Sequence, residues 1–370
     1  MPYFAVCRQR RMVMVVIMTL IFVLFISWTM KADIRSHAYK ANGGDIAQNA
    51  TSFEVTAEVR NKIRGPVKVL VLAYFRSGST LTGELIQQTK GTFYVFEPFH
   101  QMEYHYLKTG ESPTLINGTK WPNTLEGLQM PYQVHTLESL FNCQIKRIDK
   151  RALTPFAGQS VMLSNYSKCR KSMEECAEEL GSACLRSPSR VIKTIRTPMR
   201  FVTELLKKDP SVKVIHLLRD PRGLINSWIT YDYKPQKHIL PQCVCNLIGD
   251  TRYELEKQYP GTFLEVIYED LAQHPMEMLH KIYGWFGMPV DTKVIDWLNK
   301  STHSDKDGKF LDTYKKNSTA AAYSWIKKIS LEQLNLINKF CGDLISHGNF
   351  PTISSEAELA EYTMPNRTVL

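Results

Sequence analysis

Two stretches of this chain carry the same pattern, and that pattern restricts its fold more than any other feature. Val67-Lys68-Val69-Leu70-Val71-Leu72-Ala73 is an apolar run rich in β-branched residues, of the kind that forms a strand buried on both faces. It breaks into a short polar loop, Tyr74 to Ser79, and a helical pattern follows from Thr80 to Thr89. Val212-Lys213-Val214-Ile215-His216-Leu217-Leu218 repeats the arrangement, with Arg219-Asp220-Pro221-Arg222 as the loop and a helix from Gly223. Phe93-Tyr94-Val95-Phe96 reads as another strand. Phe263 to Tyr268 reads as a fourth, with a helix from about Leu271. Strand, loop and helix in this order predict an α/β domain: a parallel sheet flanked by helices. Ligands of such sheets bind at the carboxyl ends of the strands, where both polar loops lie. Gly110 to Arg190 is polar, carries four cysteines and reads as an irregular insertion.

Upstream, MVMVVIMTLIFVLFISWTM, residues 12–30, is an uncharged and almost wholly apolar run of 19 residues. At about 1.5 Å per helical residue it is long enough to cross a hydrocarbon core of roughly 30 Å. Arg8, Arg10 and Arg11 precede it, which favours a cytoplasmic N-terminus. A cleaved signal peptide would have a shorter apolar region and a small-residue cleavage site, and none follows Trp28. The expectation is therefore a tail over 1–11, one transmembrane signal anchor over 12–30, a luminal stem over 31–66 and a luminal domain over 67–370. The stem, with Asn42, Gly43, Gly44, Asn49 and Thr51 but few large apolar residues, cannot bury enough surface to fold by itself.

A luminal domain agrees with two further features. N-x-S/T sequons occur at Asn49, Asn117, Asn165, Asn299, Asn317 and Asn366, and we take Asn117, Asn165, Asn299 and Asn317 as candidate glycosylation sites. Seven of the eight cysteines lie beyond the apolar run, where an oxidising lumen favours disulfides. An odd number leaves one free thiol or one intermolecular bond. Their spacing fits no common zinc module. The net charge of +10, from 46 Lys+Arg against 36 Asp+Glu, suits a polyanionic partner such as nucleic acid, an anionic membrane or an acidic sugar chain.

The first loop, Arg76-Ser77-Gly78-Ser79-Thr80, has the physics of a phosphate site. Backbone N–H groups at a helix N-terminus face an anion. Gly78 permits close backbone approach, the hydroxyls of Ser77, Ser79 and Thr80 can donate, and Arg76 supplies a permanent forked cation. It is not a Walker A loop, since no G-x-x-x-x-G-K-S/T occurs in the chain. In the second loop Arg219 stands at a strand end, Pro221 suits a helix N-terminus, and Ser227 follows on the first turns. Taken singly, either loop reads equally as an ordinary capped turn.

Together, R-S-G-S-T and R-D-P-R-G-L-I-N-S resemble the 5′-phosphosulfate and 3′-phosphate motifs of the sulfotransferase superfamily. The resemblance is greatest to Golgi carbohydrate 6-O-sulfotransferases acting on galactose, N-acetylglucosamine or N-acetylgalactosamine. Phe96-Glu97-Pro98-Phe99-His100, Ile192-Lys193-Thr194-Ile195-Arg196 and Tyr268-Glu269-Asp270-Leu271 add to it, from about Val67 to Phe350. The resemblance implies a P-loop-like sulfotransferase fold preceded by one transmembrane helix, in a Golgi type II membrane protein. It implies 3′-phosphoadenosine-5′-phosphosulfate (PAPS) as sulfuryl donor, no metal, a glycan or glycosaminoglycan acceptor and no nucleic-acid partner. Arg76, Ser77, Gly78, Ser79 and Thr80 would hold the 5′-phosphosulfate, and Arg219 and Ser227 the 3′-phosphate. Glu97 is the candidate base for the sugar hydroxyl, with hydrogen bonding of the turn before Pro98 as its structural alternative and His100 as the alternative base. A partly buried carboxylate there could have a raised pKa. Lys193 and Arg196 would contact PAPS or an acidic acceptor. The rival reading is a Golgi glycosyltransferase holding Mn²⁺ through Asp305-Lys306-Asp307, although no strong strand precedes that string.

Overall fold

A computed structural model describes residues 65–122, 130–154, 156–230, 252–308, 312–362, 367 and 369. The apolar run 12–30, the stem as far as residue 64, Asn49, Asn366, Cys243 and Cys245 lie outside the described residues. Among the described residues no helix is long and apolar enough to cross a membrane.

Five strands form one parallel sheet: β1 (Val67–Leu72), β2 (Phe93–Phe96), β3 (Ser189–Thr194), β4 (Val212–Leu218) and β5 (Phe263–Ile267). Their order is β2-β3-β1-β4-β5, and each neighbouring pair is parallel. The helices that matter to the site and its support are α1 (Ser79–Gln87), α2 (Met130–Phe141), α3 (Val161–Ser167), α4 (Met173–Leu185), α5 (Met199–Lys208), α6 (Pro221–Thr230), α7 (Tyr268–Gln273), α8 (Pro275–Phe286) and α9 (Thr292–Thr302).

Period-2 alternation along the strands divides the apolar residues into two cores. Leu70, Leu72, Val95, Ile192 and Val214 face one side, where α2, α4 and α5 supply Leu137, Leu180 and Leu205. Val69, Val71, Phe96, Val191 and Ile215 face the other, against Leu85 of α1, Ile282 of α8 and Leu298 of α9. Both faces are thus covered, which is why the strands read as continuous apolar runs rather than alternating ones.

Four of the five strands match the expected segments. The fifth, β3, is Ser189-Arg190-Val191-Ile192-Lys193-Thr194, and all six of its residues are buried. Its two cations disguise it in the sequence. Arg190 donates to the Phe141 carbonyl at 2.6 Å, and Lys193 pairs with Glu97. The segment from 110 to 190 is also more ordered than expected, since it contains α2, α3 and α4. Ser172 and Glu175 form a capping box at the start of α4, a recognised helix-start signal, and Ser160 caps α3. Disulfides Cys143–Cys184 and Cys169–Cys176 close this region. Cys341 is disulfide-bonded as well, so no cysteine among the described residues is free.

Candidate active site

The sheet register brings the strand ends level. Leu72 stands opposite Thr194 on one side and His216 on the other, Phe96 opposite Lys193, and Leu218 opposite Ile267. Whatever follows each strand therefore emerges on one edge, and the polar residues singled out in the sequence do so together.

The first loop turns sharply into α1. Arg76 has φ 67° and Gly78 φ 88°, the left-handed region that L-residues seldom adopt. At Gly78 a side chain is excluded twice, because a Cβ there would lie 2.2 Å from the Tyr268 ring. The glycine thus admits close approach of Tyr268 as well as of a ligand. The loop's serines divide their work. Ser77 is fully buried. Its hydroxyl donates to the Tyr74 carbonyl at 2.7 Å and accepts from the Tyr74 N–H at 3.2 Å, so it shapes the loop instead of offering a donor outward. Ser79 and Thr80 begin α1 after a residue with no capping side chain, at a helix end whose N–H groups favour an anion.

The two loops are bolted to each other. Arg76 Nε donates to Ser227 Oγ at 3.2 Å. Arg219 Nη1 donates to the Arg76 carbonyl at 2.6 Å, and its Nη2 to the Ala322 carbonyl at 3.3 Å. Its guanidinium lies 4.7 Å from the centre of the Tyr268 ring, in cation–π range. Asp220 pairs bidentately with Arg222, at 2.9 and 2.7 Å. Both side chains of that pair are fully buried.

On the other side of β1, Glu97 follows β2 with φ 51°, again an uncommon backbone state for a residue with a side chain. Lys193 Nζ donates to its Oε1, and Arg196 Nη1 to its Oε2 at 2.6 Å. Lys193 and Arg196, expected to meet ligand directly, thus clamp the carboxylate. Burial pushes the Lys193 ammonium below its ordinary range, against the opposing pull of Glu97. His100 lies one turn beyond Glu97 and donates its N–H to the Glu97 carbonyl at 3.1 Å. Burial, and then Arg196, hold its imidazole below the ordinary value. The site therefore joins a cationic cradle at β1 and β4 to a carboxylate at β2 and β3.

A Sulfotransferase domain family model matches residues 66–349. The chain belongs to the sulfotransferase domain family. It is similar to human "Carbohydrate sulfotransferase 1", at 26% identity over 79% of this chain and 81% of that protein. Rat "Carbohydrate sulfotransferase 3" is 24% identical over 82% of this chain and 71% of that one. Among solved structures, the "Sulfotransferase Domain from the Synechococcus PCC 7002 Olefin Synthase" aligns with a TM-score of 0.40 at 18% identity, covering 75% of this chain and 94% of that one.

For a sulfotransferase, two carboxylates at this edge escaped the sequence reading. Glu269 is fully buried at the start of α7. Its segment was part of the resemblance, but an acidic residue beside a second one, Asp270, carries no signal of burial. Glu84, one turn into α1 beyond Thr80, accepts from Thr313 Oγ1 at 3.1 Å. Burial pushes it up to about 7, with Asp312 adding to the rise and Thr313 and Lys193 opposing it.

Proposed function

We propose that this sulfotransferase is a Golgi membrane enzyme that transfers a sulfuryl group from PAPS to a sugar hydroxyl, the 6-position of galactose, N-acetylglucosamine or N-acetylgalactosamine. The observation that carries the reading is the cross-bolting of two anion loops, Arg219 to the Arg76 carbonyl and Arg76 to Ser227, at the ends of adjacent strands β1 and β4. The names of the similar carbohydrate sulfotransferases support a sugar acceptor. The residues fit the donor: no side chain caps the N-terminus of α1, a helix end whose N–H groups favour an anion.

PAPS, when bound, supplies the sulfuryl group. Arg76 and the N-terminus of α1 hold the 5′ end, and Arg219 and Ser227 the 3′-phosphate. Arg76 and the N–H groups at the start of α1 would stabilise negative charge developing on the leaving phosphate oxygen. Glu97 accepts the proton of the sugar hydroxyl at a carboxylate oxygen, which requires Arg196 or Lys193 to yield one of its two oxygens. The glycosyltransferase alternative gains nothing here. Asp307 accepts from the Lys316 N–H at 3.0 Å, in a loop that follows helix α9 rather than a strand.

Arg219→Ala should weaken binding of PAP, the desulfated product, by about 1.5–3 kcal/mol, as expected for a charge-assisted contact. Ser227→Ala should act in the same direction but less. Calorimetry on the detergent-solubilised chain checks this, and unchanged affinity in both would make the second loop purely structural. Incubation with ³⁵S-PAPS and chondroitin, keratan and N-acetylglucosamine-terminated acceptors tests the reaction; transfer to none of them would refute it.

The run at 12–30 with its preceding arginines underlies the proposed type II topology. Asn117, Asn165, Asn299 and Asn317 are all exposed, in keeping with luminal glycosylation. Protease added to intact vesicles should remove only a short N-terminal piece, and glycosidase should shift the mobility. Digestion of the catalytic domain from outside would overturn the topology.

A further inference from the structure

Behind the second loop lies a fully buried carboxylate to which the reaction assigns no task. Glu269 is the second residue of α7, immediately after Tyr268. Its two oxygens accept only weakly from the Asp220 N–H, at 3.3 Å each, and its nearer oxygen lies 3.8 Å from Arg219 Nε. That nitrogen has no hydrogen-bond acceptor among the described residues. Arg219 is thus gripped on three sides: carbonyls of Arg76 and Ala322 take its terminal nitrogens, the Tyr268 ring covers its face, and Glu269 stands at the remaining Nε edge.

A buried carboxylate this close to a guanidinium, yet not bonded to it, is an ion pair held at arm's length. We propose that Glu269 is the positioning residue of the second loop: it fixes the Arg219 guanidinium and takes up a proton when a 3′-phosphate binds there. The inference rests on the assignment of Arg219 to the 3′-phosphate. The electrostatics follow from what surrounds the carboxylate. Burial pushes Glu269 up to about 7, Arg219 pulls it back, and Asp220 pushes it further up. Arg222 on α6, Tyr268, Tyr323 and Tyr362 are the other titratable groups that feel its charge. A phosphate dianion beside Arg219 shares the cation and adds negative potential, so the proton affinity of Glu269 rises on binding. A group whose pKa rises on binding takes up protons, and the ligand then binds more tightly as pH falls through 7, by up to about tenfold per pH unit if a whole proton is linked. The second ionisation of the ligand's own phosphates, near about 6, has the opposite sign, because the dianion binds better and protons are released.

The test is calorimetry of the full-length chain in detergent with PAP at pH 7.5, in buffers of different ionisation enthalpy. Adenosine 5′-phosphate, which lacks the 3′-phosphate, is the control ligand. The wild type should take up a fraction of a proton with PAP and none with the control ligand. Glu269→Gln keeps the size and an acceptor for the Asp220 N–H, and should abolish the uptake and flatten the rise in PAP affinity between pH 8 and pH 6.5. Equal uptake in wild type and variant would place the proton elsewhere and overturn the proposal. Should Glu269→Gln not fold, the wild type alone decides, since equal uptake with PAP and with adenosine 5′-phosphate also overturns it. Arg219→Ala separates the two levels. Unchanged PAP affinity there sinks the reading of the second loop, whereas weakened affinity with persisting uptake in Glu269→Gln sinks only the role of Glu269.

Discussion

Glu97→Gln should lower kcat by about 10²–10⁴-fold, the range expected for loss of a general base, with PAP affinity near wild type. The geometry adds a second consequence. Glu97 neutralises Lys193 and Arg196 in a site where all three side chains are at most 9% exposed. Removing one member of a buried ion pair commonly costs about 3–5 kcal/mol, and Lys193, already pushed down by burial, reduces that cost by shedding its proton. The variant should therefore melt earlier as well as turn over slowly. Glu97→Gln with Lys193→Met tells the two effects apart. Stability should return in part, because the uncompensated ammonium is gone while Arg196 still lacks its carboxylate, but kcat should remain at least about 10²-fold down. Recovery of turnover along with melting temperature would make Glu97 a counter-ion only and move the base to His100 or elsewhere.

Asp220→Asn should destabilise the domain by about 3–5 kcal/mol, seen as a fall in melting temperature of roughly 6–12 °C for a domain of this size. Asp220 and Arg222 are both fully buried and bound through two guanidinium nitrogens. Arg222 also donates to the Pro351 carbonyl at 2.7 Å and lies 5.0 Å from the Trp325 ring centre. Losing the carboxylate strands a permanent cation among apolar residues. Asp220→Asn with Arg222→Met should recover much of the loss, since replacing a whole buried pair by apolar groups is often neutral. A melting temperature unchanged in Asp220→Asn would show that the pair contributes nothing.

What could be read from the chain followed burial. β1, β2, β4 and β5 announce themselves because both faces are covered and few polar residues interrupt them. β3 hides because Arg190 and Lys193 satisfy their charges through partners 49 and 96 residues away, which no local pattern reveals. α4 was legible in principle from Ser172 and Glu175, yet the cysteines and polar residues around it drew a loop reading. At the site, the phosphate-loop pattern points to Arg76, and it is the resemblance to sulfotransferases that adds Glu97, Lys193, Arg196, Arg219 and Ser227 as candidates. Their mutual roles were not legible. Ser77 turns inward onto Tyr74 within its own loop, whereas Lys193 and Arg196 hold Glu97 and Glu269 stands behind Arg219 through contacts that depend on strand order rather than on sequence neighbours.

The cross-bolting of the loops has a consequence for how the chain matures. Its two hydrogen bonds join residues 143 and 151 positions apart, and such distant contacts form only after long segments have been closed. No fragment that ends before α6 can possess both loops, so the proposed nucleotide cradle exists only once they have met. Ligand present during maturation then acts on the native state alone, adding about 2.7 kcal/mol at a hundredfold excess over Kd. If the cradle holds PAPS as proposed, nucleotide supply thereby becomes a determinant of how much of this protein reaches and keeps its native form.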